Sequence, residues 1–112
     1  MSVRSSSVLM QDKVEWQVTG PGIQRQIMGY DEQMMLVKVK FQKGAVGEMH
    51  SHPHSQTTYV ASGIFEFNID GEINVVKEGD GLYIAPNLPH GTQCLEAGLL
   101  IDVFSPMRKD FL

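Results

Sequence analysis

The chain has 112 residues, enough for one hydrophobic core and too few for two domains of ordinary size, so we expect one domain spanning residues 1–112. With 42% hydrophobic and 20% charged residues, 11 glycines and five prolines, its composition is typical of a turn-rich globular protein and argues against disorder. The formal net charge of −4 argues against nucleic acid or an anionic membrane as a partner, since both require a basic patch.

The beginning of the chain carries no apolar segment of the kind found in secretory signals. The single cysteine, Cys94, cannot form an intrachain disulfide, and no apolar run approaches the roughly 18 residues of a membrane span. We therefore expect a cytoplasmic protein without a membrane anchor, with Cys94 as a small buried residue. Small polar residues at positions 5–7 predict that residues 1–8 are flexible.

Alternation of apolar and polar residues predicts a series of short strands along the chain. The alternating segments are residues 14–18, 37–41, 65–69 and 72–75. Turns are expected at residues 20–22, 43–44 and 78–81, and Asp70-Gly71 is the strongest hairpin signal. Strands about ten residues apart, without a segment of helical periodicity, predict an all-β sandwich or barrel.

Two histidines in residues 44–63 are spaced for binding one metal ion. His50 and His52 are two residues apart, so on one strand both imidazoles would point to the same face. A third inward side chain on that strand would lie nearly 7 Å farther on, so another ligand requires the chain to turn back. Pro53 and Ser55 are suited to that bend.

Gln56 would open the next strand with its amide oxygen available, and His90 can complete the site from a distant part of the chain. The sequence thus predicts one divalent ion bound by His50, His52, Gln56 and His90. Such a set accepts Zn, Ni, Mn, Fe or Cu, and the sequence leaves the choice open. His54 falls in the bend, where we interpret it as facing solvent or supporting the ligands, and its own ligation stays open.

The same stretch resembles the first motif of the cupin family, in which a glycine is followed by His-x-His, an acidic residue and a second glycine. Gly44, His50, His52, Gln56 and Gly63 match it, with glutamine in the acidic position. A second cupin motif resembles Gly79-Asp80 followed by residues 85–90. The resemblance implies an all-β, single-domain cupin, that is, a double-stranded β-helix or jelly-roll barrel.

The C-terminal residues 102–112 resemble the tail of KdgF-type cupins, which linearise unsaturated uronates from pectin and alginate breakdown. That resemblance implies that Asp102, Phe104 and Arg108 act on the sugar. Asp102 and Phe104 share strand parity, so both can face one cavity, while Arg108 follows Pro106 on a tail that can fold over its mouth. A guanidinium is suited to binding a carboxylate through two hydrogen bonds.

Gln56 in place of an acidic ligand leaves the charge of the ion uncompensated, which favours a small anionic sugar as substrate. The predicted activity is a metal-dependent, isomerase-type ring opening of 4,5-unsaturated uronates to the keto form. Two alternatives stay open: a metal-dependent dioxygenase acting on a phenol or diketone, and a non-catalytic sugar-binding module. By analogy with small cupins that pair edge strands, we expect a homodimer.

Overall fold

The computed structural model describes residues 3–112, and most of them lie in strands. The strands are β1 (Gln17–Gly20), β2 (Ile23–Asp31), β3 (Met34–Phe41), β4 (Val46–His50), β5 (Ser55–Ile69), β6 (Glu72–Lys77), β7 (Gly81–Ile84) and β8 (His90–Ser105). Two 3-10 turns, Gln11–Lys13 and Lys109–Phe111, flank them. The predicted all-β class is confirmed. Within residues 3–112, no helix is long and apolar enough to cross a membrane.

The two longest strands, β5 and β8, pair antiparallel and organise the rest of the sheet. Their register runs from Ser55 opposite Ser105 to Ile69 opposite His90. The remaining strands extend the sheet in the order β1-β2-β3-β8-β5-β6, with β4 pairing β8 and β7 pairing β5. The end of β4, the start of β5 and both ends of β8 are thereby held in fixed register, and all of the predicted site residues come from these regions or from the adjoining loops.

Particular glycines are required at two places in the fold, a tight hairpin turn and a close crossing of two strands. Asp70 and Gly71 both have positive φ, 51° and 89°, as a two-residue type I′ hairpin between β5 and β6 demands. The hairpin predicted there is confirmed. Where β5 crosses β8, a Cβ on Gly98 would lie 2.1 Å from the carbonyl oxygen of Ser62, and one on Gly63 would lie 2.7 Å from that of Glu96. Only glycine allows the strands to cross at this distance.

The first predicted strand, residues 14–18, is displaced in the structure. Strand β1 begins only at Gln17, because the carbonyl of Val14 accepts a hydrogen bond from the buried Gln26 side chain instead of pairing with a strand. Of the segment expected to be flexible, residues 1 and 2 lie outside the described part of the chain. Ser5 differs from that expectation, since its N–H donates to the Tyr30 carbonyl and its hydroxyl accepts from the Tyr30 N–H.

The core consists of two apolar clusters on the inner face of the sheet. The larger contains Ile23, Phe41, Ala45, Val60, Phe65, Phe67, Val76, Cys94 and Leu100, so Cys94 is buried as predicted. The smaller contains Met35, Val37, Phe104 and Met107. It joins β3 and β8 to the C-terminal tail, and this contact fixes the tail against the pocket described below.

Candidate metal centre and adjoining pocket

Three histidines converge at one end of the sheet. His50 is the last residue of β4 and pairs with His90, the first residue of β8. His52 follows β4 in the loop, because the strand ends before Pro53; the prediction that His50 and His52 share one strand is therefore wrong in detail. The candidate ligand atoms of the three residues nevertheless lie within 4.8 Å of one another. We refer to His50, His52 and His90 as the histidine cluster.

Each imidazole of the histidine cluster is oriented by a backbone carbonyl two residues away in the chain. The Nδ1 atoms of His50, His52 and His90 lie 2.8, 3.1 and 2.9 Å from the carbonyl oxygens of Glu48, His54 and Leu88. A neutral ring that donates from Nδ1 presents an unprotonated Nε2, which is the form that binds metal. Burial lowers the pKa of His90 and lowers that of His52 to about 4, so both are neutral at pH 7.

The remaining polar atoms at the centre of the cluster are those expected of a cation site. The Nε2 atom of His90 is buried and has no hydrogen-bond partner within residues 3–112. The Nε2 atom of His52 lies 2.9 Å from the Oε1 atom of Gln56, on the second position of β5. With His52 neutral and donating from Nδ1, both of these atoms are acceptors. The Nε2 atom of His52, the Oε1 atom of Gln56 and the unpartnered Nε2 atom of His90 therefore all present lone pairs, which a divalent ion between them would satisfy.

His54 lies in the bend between β4 and β5, as predicted, and its ring centroid is 5.4 Å from that of His52. Its donor atoms do not converge with those of the histidine cluster. Its ring instead lies edge-on to Phe104, with centroids 6.5 Å apart, and its half-buried position lowers its pKa. His54 thus packs against the ring system behind the cluster.

A hydrogen-bonded chain joins Gln56 to a carboxyl group. The Gln56 amide nitrogen donates to the Thr58 hydroxyl oxygen at 3.0 Å, and this hydroxyl donates to Asp102 Oδ1 at 2.6 Å. Thr58 and Asp102 are opposite one another in the β5–β8 pairing. Burial raises the pKa of Asp102 from 3.8 to about 6, although the Thr58 hydrogen bond and the charge of Arg108 oppose that rise. A carboxyl group with that pKa exchanges protons readily near neutral pH.

Arg108 is buried in the C-terminal tail, with 9% of its surface exposed, and it lies over Phe104 at 5.0 Å from the ring centroid. Its Nε and Nη2 atoms donate to the two carboxylate oxygens of Asp110 at 3.1 and 2.8 Å. The Arg108 hydrogen bond lowers the pKa of Asp110. A guanidinium has five N–H donors, so this pairing leaves the Nη edge of Arg108 available to a ligand.

These side chains surround a pocket of about 480 Å³. Polar and charged groups line one part of it, including His50, Gln56, His90, Asp102, Arg108 and Arg25. Apolar residues of the core line the rest, among them Val37, Val39, Phe41, Phe67 and Leu100. An apolar cavity with a few convergent polar groups is the usual form of a small-molecule site. Of the seven residues predicted to form the site, six line the pocket and His52 does not.

Two residues of this region, Thr58 and Arg25, were not predicted from the sequence. Thr58 alternates along β5 with the buried Gln56 and Val60, so strand parity alone placed its hydroxyl beside the candidate ligand. Arg25 shares parity along β2 with Ile23 and Ile27, both of which pack against the core. A charged residue at an inward-facing strand position was the signal available for Arg25.

Comparison with known proteins gave concordant matches. A family model described as "Cupin domain" matches residues 37–104. The pectin degradation protein KdgF of Dickeya dadantii is 46% identical over 103 residues, covering 90% of this chain and 94% of that protein. The structure of KdgF from Halomonas sp. has a TM-score of 0.91 at 40% identity, covering 96% and 100% of the two chains. An RmlC-like cupin from Shewanella frigidimarina has a TM-score of 0.94 at 41% identity, covering 97% and 98%.

Proposed function

The chain belongs to the cupin family, and on that premise we propose that it is a metal-dependent enzyme that opens the ring of 4,5-unsaturated uronates released in pectin or alginate breakdown. The reaction is an isomerisation to the linear keto form. The similarity to two KdgF proteins, one of them named for pectin degradation, supports this substrate class. The carrying observation is the hydrogen-bonded chain from Gln56 through Thr58 to Asp102, which joins a carboxyl group to a candidate metal ligand, both of them lining one pocket.

His50, His52, Gln56 and His90 would hold the divalent ion. When bound, the ion supplies Lewis acidity to the sugar oxygens and stabilises negative charge that develops on them. All four ligands are neutral, so the site keeps the full charge of the ion. A substrate that carries a carboxylate is therefore favoured over a neutral sugar.

Ring opening requires a proton to leave one oxygen and another to arrive at carbon. As the C1–O5 bond breaks, the C1 hydroxyl loses its proton and becomes the aldehyde, while O5 keeps the bonding electron pair and becomes an enolate oxygen on C5. A proton delivered to C4 then converts the enolate to the ketone, so the proton lost is replaced and no water or electron is consumed. Asp102, with its pKa near 6, is the pocket carboxyl suited to accept the first proton and return one.

Arg108 and Phe104 would position the sugar for this transfer. The Nη edge of Arg108, which Asp110 leaves available, binds the substrate carboxylate, and Asp110 holds the guanidinium in place. Phe104 lies beneath the guanidinium of Arg108. Its ring is also edge-on to that of His52, and the centroids of these two rings are 5.7 Å apart. Its ring provides an apolar wall against which one face of the sugar packs.

The proposal is tested by following the ultraviolet absorbance of the unsaturated uronate, with the spontaneous reaction subtracted using metal-free protein. Asp102→Ala should lower kcat by about 10²- to 10⁴-fold with little change in KM, because the proton transfer is lost. Arg108→Ala should mainly raise KM. The loss of substrate-binding free energy should be about 2 to 4 kcal/mol, as expected for a lost, partly buried charge-assisted pair. Arg108→Lys should recover only part of the lost binding free energy, since an ammonium lacks the paired, coplanar N–H donors of a guanidinium.

Lys109→Ala is the matched control for Arg108, since it removes the neighbouring, exposed positive charge, which does not line the pocket. Its kinetics should match those of the wild type. Wild-type protein no faster than the metal-free control, with any unsaturated uronate, would contradict the isomerase proposal. Oxygen uptake with a phenol or diketone would then support the dioxygenase, and binding without turnover would support the sugar-binding module.

A further inference from the structure

A second guanidinium, that of Arg25, lines the same pocket as Arg108. Arg25 lies on β2 opposite Val39 of β3, a residue that packs against the core, and its inward-facing neighbours along β2 are Ile23 and Ile27. Its side chain is half-buried among the residues that line the pocket. A cation at an inward-facing position of a strand is uncommon unless it has an anionic partner.

Arg25 forms no ion pair within residues 3–112. The Nε atom of Arg25 donates to the amide oxygen of Gln17 at 2.8 Å, and no carboxylate lies within ion-pair distance. Gln17 is the residue opposite Arg25 in the β1–β2 pairing, so this contact fixes the direction of the guanidinium. Both Nη atoms remain available for a bidentate interaction. Arg108, in contrast, already shares its charge with Asp110.

Phe111 brings the two guanidiniums close together. The Cζ atom of Arg25 lies 3.8 Å and that of Arg108 lies 4.3 Å from the centroid of the Phe111 ring, so the two Cζ atoms are at most about 8 Å apart. One carboxylate with N–H···O bonds of about 2.8 Å to each side can bridge that distance. Partial burial lowers the pKa of Arg25, which shows that the cation is partly deprived of solvent, and the charge of Arg108 lowers it further, although the carboxylate of Asp110 acts in the opposite direction from beyond ion-pair distance. A bound anion would relieve both effects.

We propose that Arg25 is a second anion-binding residue of the pocket and shares the substrate carboxylate with Arg108, thereby selecting uronates over neutral sugars. This inference rests on the proposed function for its substrate class, and it names a specificity-determining residue that the mechanism above does not use. The stacking on Phe111 gives Arg25 a fixed position at the pocket, and the Nη fork gives it the geometry for a carboxylate.

The test measures binding rather than turnover. Metal-loaded protein is titrated calorimetrically with D-galacturonate, which carries the carboxylate, and with D-galactose, which does not. Arg25→Gln should raise the Kd for galacturonate by about tenfold or more, the loss expected for a hydrogen-bonded charge pair, and should leave that for galactose unchanged. Arg25→Lys should have an intermediate Kd for galacturonate. The matched control is Arg4→Gln, which removes the same charge from an exposed residue outside the pocket.

A purely structural role, in which Arg25 only holds Phe111, would weaken both sugars equally, and that result would overturn the inference. It would also be overturned if Arg25→Gln and Arg4→Gln had the same effect, or if wild-type protein did not prefer galacturonate to galactose. If Arg25→Gln fails to fold, Arg25→Lys provides the test. An unchanged preference of that variant for galacturonate over galactose would contradict a role for the two Nη donors of Arg25. Turnover of unsaturated uronates is measured separately. If the protein turns them over but Arg25→Gln leaves galacturonate affinity unchanged, only the inference about Arg25 is refuted. If Arg25→Gln weakens galacturonate binding but no turnover is seen, only the proposed enzymatic activity is refuted.

Discussion

Replacement of Thr58 by valine isolates the link between the candidate metal ligands and Asp102. The Thr58 hydroxyl accepts from the Gln56 amide at 3.0 Å and donates to Asp102 at 2.6 Å, while its side chain is 3% exposed. Valine has nearly the same shape, so the change removes one hydroxyl without creating a cavity. Two buried polar groups then lose their partner at once.

The expected loss of stability follows from these two bonds. A hydrogen bond to a charged group contributes about 1.5–3 kcal/mol, and one between neutral groups contributes about 0.5–1.5 kcal/mol. Because partners left unsatisfied in a buried site bear the desolvation cost as well, we expect Thr58→Val to lower the free energy of unfolding by about 2–4 kcal/mol. The Gln56 amide also loses the bond that orients it, so metal affinity should fall by about 10- to 100-fold.

Thr57→Val is the matched control, since Thr57 is the preceding residue of β5, faces outward and is exposed. It removes the same hydroxyl, and its free energy of unfolding should stay within about 0.5 kcal/mol of the wild type. The assay is urea denaturation of both variants after chelation, followed by competitive metal titration and the turnover measurement. Turnover of Thr58→Val should fall mainly in kcat, because Asp102 loses its orienting bond.

The reasoning would be refuted if Thr58→Val matched Thr57→Val in stability, metal affinity and kcat. Equal stability with reduced kcat would instead separate the two bonds, since it would assign the hydroxyl to the orientation of Asp102 and not to the fold. Lower stability with unchanged metal affinity would show that the Gln56 amide is held in place without the Thr58 hydroxyl.

Three further outcomes are expected. Alanine in place of any member of the histidine cluster should lower the metal content well below one ion per chain by elemental analysis, whereas His54→Ala should leave it unchanged; full occupancy in the cluster variants would exclude this site. Gln56→Glu should tighten metal binding and weaken uronate binding in parallel titrations, and a tighter uronate would contradict the electrostatic argument. Gly98→Ala should lower the free energy of unfolding by about 1–3 kcal/mol or more, because a Cβ at this position would lie 2.1 Å from the Ser62 carbonyl oxygen. Gly29→Ala, whose Cβ would have no atom within 4 Å, should leave the free energy of unfolding nearly unchanged.

Local chemistry made much of the fold predictable. The period-two alternation and the Asp70-Gly71 turn identified strands and a hairpin, since side-chain direction in a strand and positive φ in a tight turn depend on neighbouring residues. The displaced start of β1 was not predictable, because Val14 is withdrawn from pairing by Gln26, a residue of the next strand.

The identity of the candidate ligands was likewise available from the sequence, because His50, His52 and Gln56 lie close together and imidazoles with an amide are recognisable as a donor set. Their protonation pattern was not, because it depends on carbonyls that the folded loops bring to each Nδ1 atom. The tertiary structure also decided which groups lie beside them. Asp102 meets Thr58 only through the β5–β8 register, and Arg25 and Arg108 lie near one another only because both pack against Phe111 of the tail. Sequence determines residue types and local direction, whereas the partners of a charge depend on which distant strands are paired, and that pairing is a property of the whole sheet.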